Sequence, residues 1–186
     1  MIRQNKVQVM AISALLCAIG ILIPMIAPKI VIEPASFTLA SHVPIFIAMF
    51  ISPLVAISVA IITGFGFLIA GFPIVIVLRA LSHVVFVAIG AYVLKRNTLL
   101  LTERKSKYIF GFIISIIHAV CEVIVVTLFY WGNSMTSAYY EKGFLVSVVL
   151  LVGVGTIIHS MIDYRLALLV WKPVQKVVNI PVNAKL

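Results

Sequence analysis

Apolar residues run along the chain in six blocks, each bounded by a short segment where charges, prolines or glycines collect. The blocks cover about 7–27, 38–51, 54–70, 72–94, 108–131 and 144–171. The longest exceed the roughly 20 apolar residues a helix needs to cross about 30 Å of hydrocarbon. The pattern predicts an all-α integral membrane protein of six transmembrane helices in a single membrane domain, 1–186. The first block, VQVMAISALLCAIGILIPMIA, follows Arg3 and Lys6 as a signal peptide would. It lacks a clear small-residue cleavage site and reads as a retained helix. Between blocks one and two, PKIVIEPASF holds two prolines and the lone acid Glu33. It is too broken for a helix and reads as an ordered outer loop. The second block is short and contains His42 and Pro44, so its helix is expected to tilt, kink or begin within a cavity. Gly64 and Gly66 in the third block are not followed by the Lys-Ser/Thr of a phosphate loop, and read as packing glycines. The stretch 95–107, KRNTLLLTERKSK, is a charged linker, and the last block is longer than a bilayer is thick.

Composition sharpens this picture. Of 186 residues 63% are hydrophobic and 10% charged, and the mean hydropathy is +1.25, far from a soluble domain with about a quarter of its residues charged. A net charge of +9 suggests nucleic acid at first sight. The basic residues, however, sit between apolar blocks rather than on one soluble face, so positive-inside topology explains them and no nucleic-acid partner is expected. With the N-terminus inside, six spans place Arg3, Lys6, Lys95, Arg96, Arg104, Lys105, Lys107, Lys172, Lys176 and Lys185 in the cytoplasm. Only Lys29 and Lys142 are then outside, ten against two, so both termini are cytoplasmic. Cys17 and Cys121 both lie in apolar blocks and provide neither a disulfide framework nor metal-binding spacing.

The polar residues inside the blocks are where chemistry is expected. Arg79 and His83, His118 and Glu122, and His159 and Asp163 are three pairs, each four residues apart and therefore on one helix face. A guanidinium in hydrocarbon needs a partner, a cavity or an anion. Two readings follow. In one, Arg79 and Glu122 form an ion pair inside the bundle and each histidine bonds a carbonyl or a carboxylate. In the other, Arg79 anchors a ligand carboxylate with its planar fork of donors, assisted by His83, Glu122 and Asn133, with the loop tyrosines as a cap. His159 and Asp163 are placed deeper, in inner packing or coupling. His42 reads as a hydrogen-bonded interior group or a ligand contact. An intramembrane metalloenzyme using these histidines and carboxylates is the remote alternative, since no HExxH occurs. A proton-coupled secondary carrier of a small organic anion stands before it, although the two halves show no internal repeat. No nucleotide-binding loop is present, so ATP-driven transport would require other subunits.

The stretches AISALLCAIGILIPM at 11–25, IEPASFTLASHVPIFIAMFISP at 32–53 and FPIVIVLRALSHVVF at 72–86, with the small size, basic balance and six spans, carry a family resemblance. The chain resembles the substrate-binding S components of energy-coupling factor vitamin transporters, in the branch taking small carboxylate vitamins such as niacin or pantothenate. The resemblance implies a non-enzymatic protein of the bacterial plasma membrane that binds vitamin near the outer surface. It implies no catalytic residue, metal or cofactor. The implied binding residues are Glu33, Ser36 and Phe37 in the loop after helix one, Arg79, His83 and Glu122, and Asn133 and Tyr139 in the loop between helices five and six. It also implies that Ala14 and Ala18 contact a transmembrane coupling subunit, which works with two ATPase subunits. Niacin is favoured and pantothenate next, because the pocket residues are few and compact.

Overall fold

The computed structural model describes residues 2–32, 35–177, 180 and 182–186, without the side chains of residues 2–5 and 36. Helix α1 runs over Ile2–Ile26. The segment after it is an antiparallel hairpin rather than an element-free loop: β1, Lys29–Ile32, pairs with β2, Ala35–Thr38, in the register Lys29↔Thr38 and Ile30↔Phe37. Ile30, Val31 and Ile32 give β1 the β-branched side chains that suit a pleated surface.

Helix α2, Val43–Ile51, starts five residues later than the hydrophobic pattern suggested. Thr38 is tied to Lys29 in the hairpin, Ala40 takes a left-handed conformation with φ of 66°, and Pro44 sits in the helix's first turn. Each of these holds the chain out of helix until His42. At about 1.5 Å per residue, nine residues reach only about 14 Å, half a bilayer. From Pro44 to Ile51 every residue is buried, with Phe46, Ala48, Met49 and Phe50 fully so. A helix apolar on all sides belongs in the middle of a bundle. Phe46 packs edge-on against Tyr164, while Phe50 lies between Tyr164 and Trp171 with ring centroids 6.1 and 6.0 Å away.

Ser52 separates α2 from α3, Pro53–Ile69, and caps it by accepting a hydrogen bond from the Val55 N–H at 3.2 Å. The break leaves the last carbonyls of α2 without helical partners. The C-terminal tail supplies them: the Ala184 N–H donates to the Phe50 carbonyl at 3.0 Å, and Trp171 Nε1 donates back to the Ala184 carbonyl at 3.1 Å. Helix α4 follows at Ile74–Arg96, α5 at Arg104–Trp131 and a short α6 at Ser137–Glu141. A π-helical segment, Leu145–Val154, then continues directly into α7, Gly155–Val177.

Among the described residues, four helical stretches are long and apolar enough to cross a membrane: Lys6–Ile26, Ile74–Arg96, Arg104–Trp131 and Leu145–Val177, with α3 shorter at 17 residues. Their outward surfaces carry large apolar side chains, including Met10, Leu54, Ile69, Leu128 and Leu169. A water-soluble monomer rarely exposes such a surface, whereas lipid solvates it.

Because Phe50 fills the centre of this packing, Phe50→Ala is expected to cost about 3–5 kcal/mol. Thermal unfolding in detergent should show a clearly lowered midpoint. An unchanged midpoint would mean that α2 is not the centre of the core.

Candidate functional site

Two buried carboxylates organise the polar interior. Glu122, on the inward face of α5, is 3% exposed. Its Oε2 accepts hydrogen bonds from Arg79 Nη2 at 2.8 Å and from Thr156 Oγ1 at 2.6 Å. Its Oε1 lies 3.4 Å from His83 Nε2 and 3.5 Å from His118 Nε2. One carboxylate thus gathers α4, α5 and α7. The pairing of Arg79 with Glu122 that the sequence left open as one of two readings is present. It does not consume the guanidinium, since Arg79 Nε is buried without a hydrogen-bond partner.

Asp163, fully buried on α7, reaches the turn before α2. Its Oδ1 accepts from the Ala40 N–H at 2.8 Å, and its Oδ2 accepts from the His42 N–H at 2.9 Å. His42 Nδ1 lies 3.0 Å from the same Oδ2. A carboxylate here stabilises the left-handed turn and the positive end of α2 together. Ser41 Oγ bridges towards His159 Nε2 at 3.1 Å. His159 and Asp163, expected deeper in the bundle, therefore stand beside the hairpin end, because the turn of residues 39–42 folds down onto α7.

These groups surround a cavity of about 160 Å³ whose wall includes Arg79, His83, Glu122, His42, His159, Thr156, Phe37 and Lys29. Gly20 and Pro24 of α1, Thr63 and Phe67 of α3, and Phe72 before α4 close the other sides. Its aromatic wall consists of Phe37, Phe67 and Phe72 with His42, His83 and His159. Phe37 takes its place because Gly155 has no side chain: a Cβ there would lie 2.5 Å from the Phe37 ring.

Of the residues expected to bind ligand, Arg79, His83, Glu122 and Phe37 meet at this cavity. Glu33 lies outside the described residues, as does the side chain of Ser36. Asn133 is exposed in the turn after α5, with φ of 51°. Tyr139 is buried with Val126, Val148 and Val152 and is not part of the cavity wall. Thr156 was not anticipated, yet it stands seven residues before Asp163, two helical turns along the same face. Among the described residues, two groups could hold a metal ion. One donor atom each of His42, His83, His118 and Glu122 lie within 4.8 Å of one another, and so do those of His42, His159 and Asp163.

Fold and cavity together define a multi-pass protein of the cell membrane whose polar groups are gathered around one cavity inside an apolar bundle. The chain is 46% identical over 167 residues to the niacin transporter NiaX of Lactococcus lactis subsp. cremoris (strain MG1363), covering 89% of this chain and 74% of that protein. It belongs to the family of that transporter, a family of transport proteins and not of enzymes. The resemblance drawn from the sequence therefore stands at the level of family. No family model and no solved structure matches the chain.

The geometry makes Arg79 and Glu122 interdependent. Arg79→Met alone leaves a buried carboxylate short of its cation and should cost about 3–5 kcal/mol. Adding Glu122→Gln should restore most of that loss. Thermal unfolding of the two single variants and the double variant measures the coupling, and additive losses would mean that the pair is not stabilising.

Proposed function

We propose that the protein captures niacin, as its carboxylate anion, in the cavity between the hairpin and the bundle. The observation that carries this reading is the half-occupied guanidinium: Arg79 faces the cavity with one Nη2 on Glu122 and its Nε unpartnered. A planar fork of donors in a low-dielectric site suits a carboxylate held by two oxygens. Lys29 at the cavity's rim adds a second cation. The pyridine ring would lie among Phe37, Phe67 and Phe72, and a histidine would serve its ring nitrogen. A wall this aromatic suits a flat heteroaromatic acid better than the branched, hydroxyl-rich pantothenate. The niacin transporter in the same family supports the choice.

In this reading the chain crosses the membrane six times with both termini in the cytoplasm. Its short second span is completed by the turn and hairpin. The cavity end then faces outwards, away from the basic ends of α4, α5 and α7. The protein works as the S component of an energy-coupling factor importer, delivering vitamin by way of a transmembrane coupling subunit and two ATPases. Ala14 and Ala18 are exposed on the side of α1 opposite buried Leu16, Cys17 and Gly20, as a contact with the coupling subunit requires.

Titration of the purified protein with niacin, nicotinamide and pantothenate, read by calorimetry, tests the substrate. Niacin should bind and nicotinamide should be rejected at least a hundredfold, since the amide lacks the charge Arg79 needs. The stable Arg79→Met, Glu122→Gln double variant should bind none of the three. Pantothenate binding alone would overturn niacin as substrate, and equal binding of niacin and nicotinamide would overturn the arginine anchor. Ala14→Trp should block co-purification with a coupling subunit and leave niacin binding intact. Complex formation by that variant would remove α1 from the interface.

A further inference from the structure

Beside the cavity, where His42, His83 and Glu122 of its wall meet the buried His118 behind them, we infer a site for one divalent transition-metal ion, of the zinc type, held by these four residues. Spacing along the chain offers only weak reason to consider a metal, because these ligands come from two separate helices, α4 and α5, and the turn before α2. The fold brings their imidazoles into a triangle. Ring centroids are 5.0 Å apart for His42 and His83, 4.7 Å for His42 and His118, and 4.7 Å for His83 and His118.

The hydrogen-bond chain behind His118 fixes what its ring presents. Ser115 Oγ donates to the Gly111 carbonyl at 2.8 Å, since a carbonyl only accepts. Ser160 Oγ lies 3.1 Å from Ser115 Oγ and 3.2 Å from His118 Nδ1. These contacts tie His118 Nδ1 to α7 and turn its Nε2 towards the cluster. Nε2 is buried and lies 3.5 Å from Glu122 Oε1.

His42 is prepared in the same way. Its Nδ1, 3.0 Å from Asp163 Oδ2, must carry the proton, so Nε2 is its free donor. A carboxylate behind the non-ligating nitrogen is the usual support of a metal-bound histidine. Arg79 and Thr156 occupy Oε2 of Glu122 and leave Oε1 to the histidines. The separations from Oε1, 3.4 Å to His83 Nε2 and 3.5 Å to His118 Nε2, match two donors placed about 2.0–2.1 Å from a tetrahedral ion, roughly 3.3 Å apart. Nitrogen-rich sets of this kind suit zinc, cobalt and nickel better than magnesium or calcium.

The site stands on ligand geometry and is tested without any vitamin. Tag-free protein in detergent is stripped with chelator and titrated with Co²⁺, following visible ligand-field absorption, with Zn²⁺ as competitor. One saturable equivalent per chain, with the intense bands of a tetrahedral ion and displacement by Zn²⁺, is expected. His83→Ala and His118→Ala should each weaken Co²⁺ binding at least tenfold. Ser160→Ala, which touches no ion but frees the His118 ring from its contact at Nδ1, should weaken it severalfold. Size-exclusion profiles and circular dichroism report folding, and if one histidine variant fails to fold the other decides. Failure to see a saturable band in the wild-type protein, or the same band and affinity in a folded histidine variant, overturns the site.

Discussion

A carboxylate in the middle of a lipid-solvated bundle has to be neutralised and hydrogen-bonded, and the described residues include two. Burying an unpaired charge costs several kcal/mol, comparable with much of a domain's net stability. Glu122 and Asp163 therefore dictate where their neighbours stand. Glu122 requires Arg79, and Thr156 with it, which brings α4, α5 and α7 together at one depth. Asp163 requires the backbone of residues 40–42 and the His42 ring, which draws the end of the hairpin turn down onto α7. The apolar core around Phe46, Phe50, Tyr164 and Trp171 makes the bundle cohesive. The two carboxylates set its register.

The same pairing leaves chemistry over. Each acid spends its partners unevenly: Oε2 of Glu122 is fully engaged while Oε1 faces histidine nitrogens, and Arg79 gives one nitrogen to the ion pair and keeps another unpartnered. A purely structural ion pair would be expected to satisfy all its members, because half-satisfied polar groups in a low dielectric are costly. Unspent donors and acceptors facing a cavity are what a binding protein needs for a ligand that must arrive and leave. On this view the stability lost by incomplete pairing and the affinity gained for an anion have one origin.

The six apolar blocks, the three four-residue polar pairs and the breaks at Pro28 and Pro53 were legible because each is a local, periodic feature. Spacing and depth were enough to place Arg79, His83 and Glu122 near one another, with the ion pair left as one of two readings. What could not be read was the junction of residues 38–42. Whether a chain continues as helix there depends on Asp163, more than a hundred residues away, accepting two of its backbone N–H groups. The place of His42 and His159 followed from that contact, so both stood outside the expected core of the site. Asn133 and Tyr139 were expected from their place in the loop between helices five and six, but Asn133 is exposed and the valines of α5 and the π-helical segment take up Tyr139, so neither lines the cavity.

The brevity of α2 and the existence of the cavity are one fact seen twice. Non-helical backbone at membrane depth is tolerated only where it is buried in protein or lines a cavity, because its N–H and C=O groups find no water in lipid. A full-length second helix would satisfy its own backbone and fill the space with side chains. Ending the helix at Val43 exposes the N–H groups of residues 40 and 42, and Asp163 accepts both. The hairpin then covers the gap, with Phe37 seated on Gly155. Its packing leaves a cavity at the level of Arg79 and Glu122. The half-length helix, which looks in the sequence like a poor membrane span, is thus what opens the cavity, and the buried Asp163 is what makes that opening affordable to the fold.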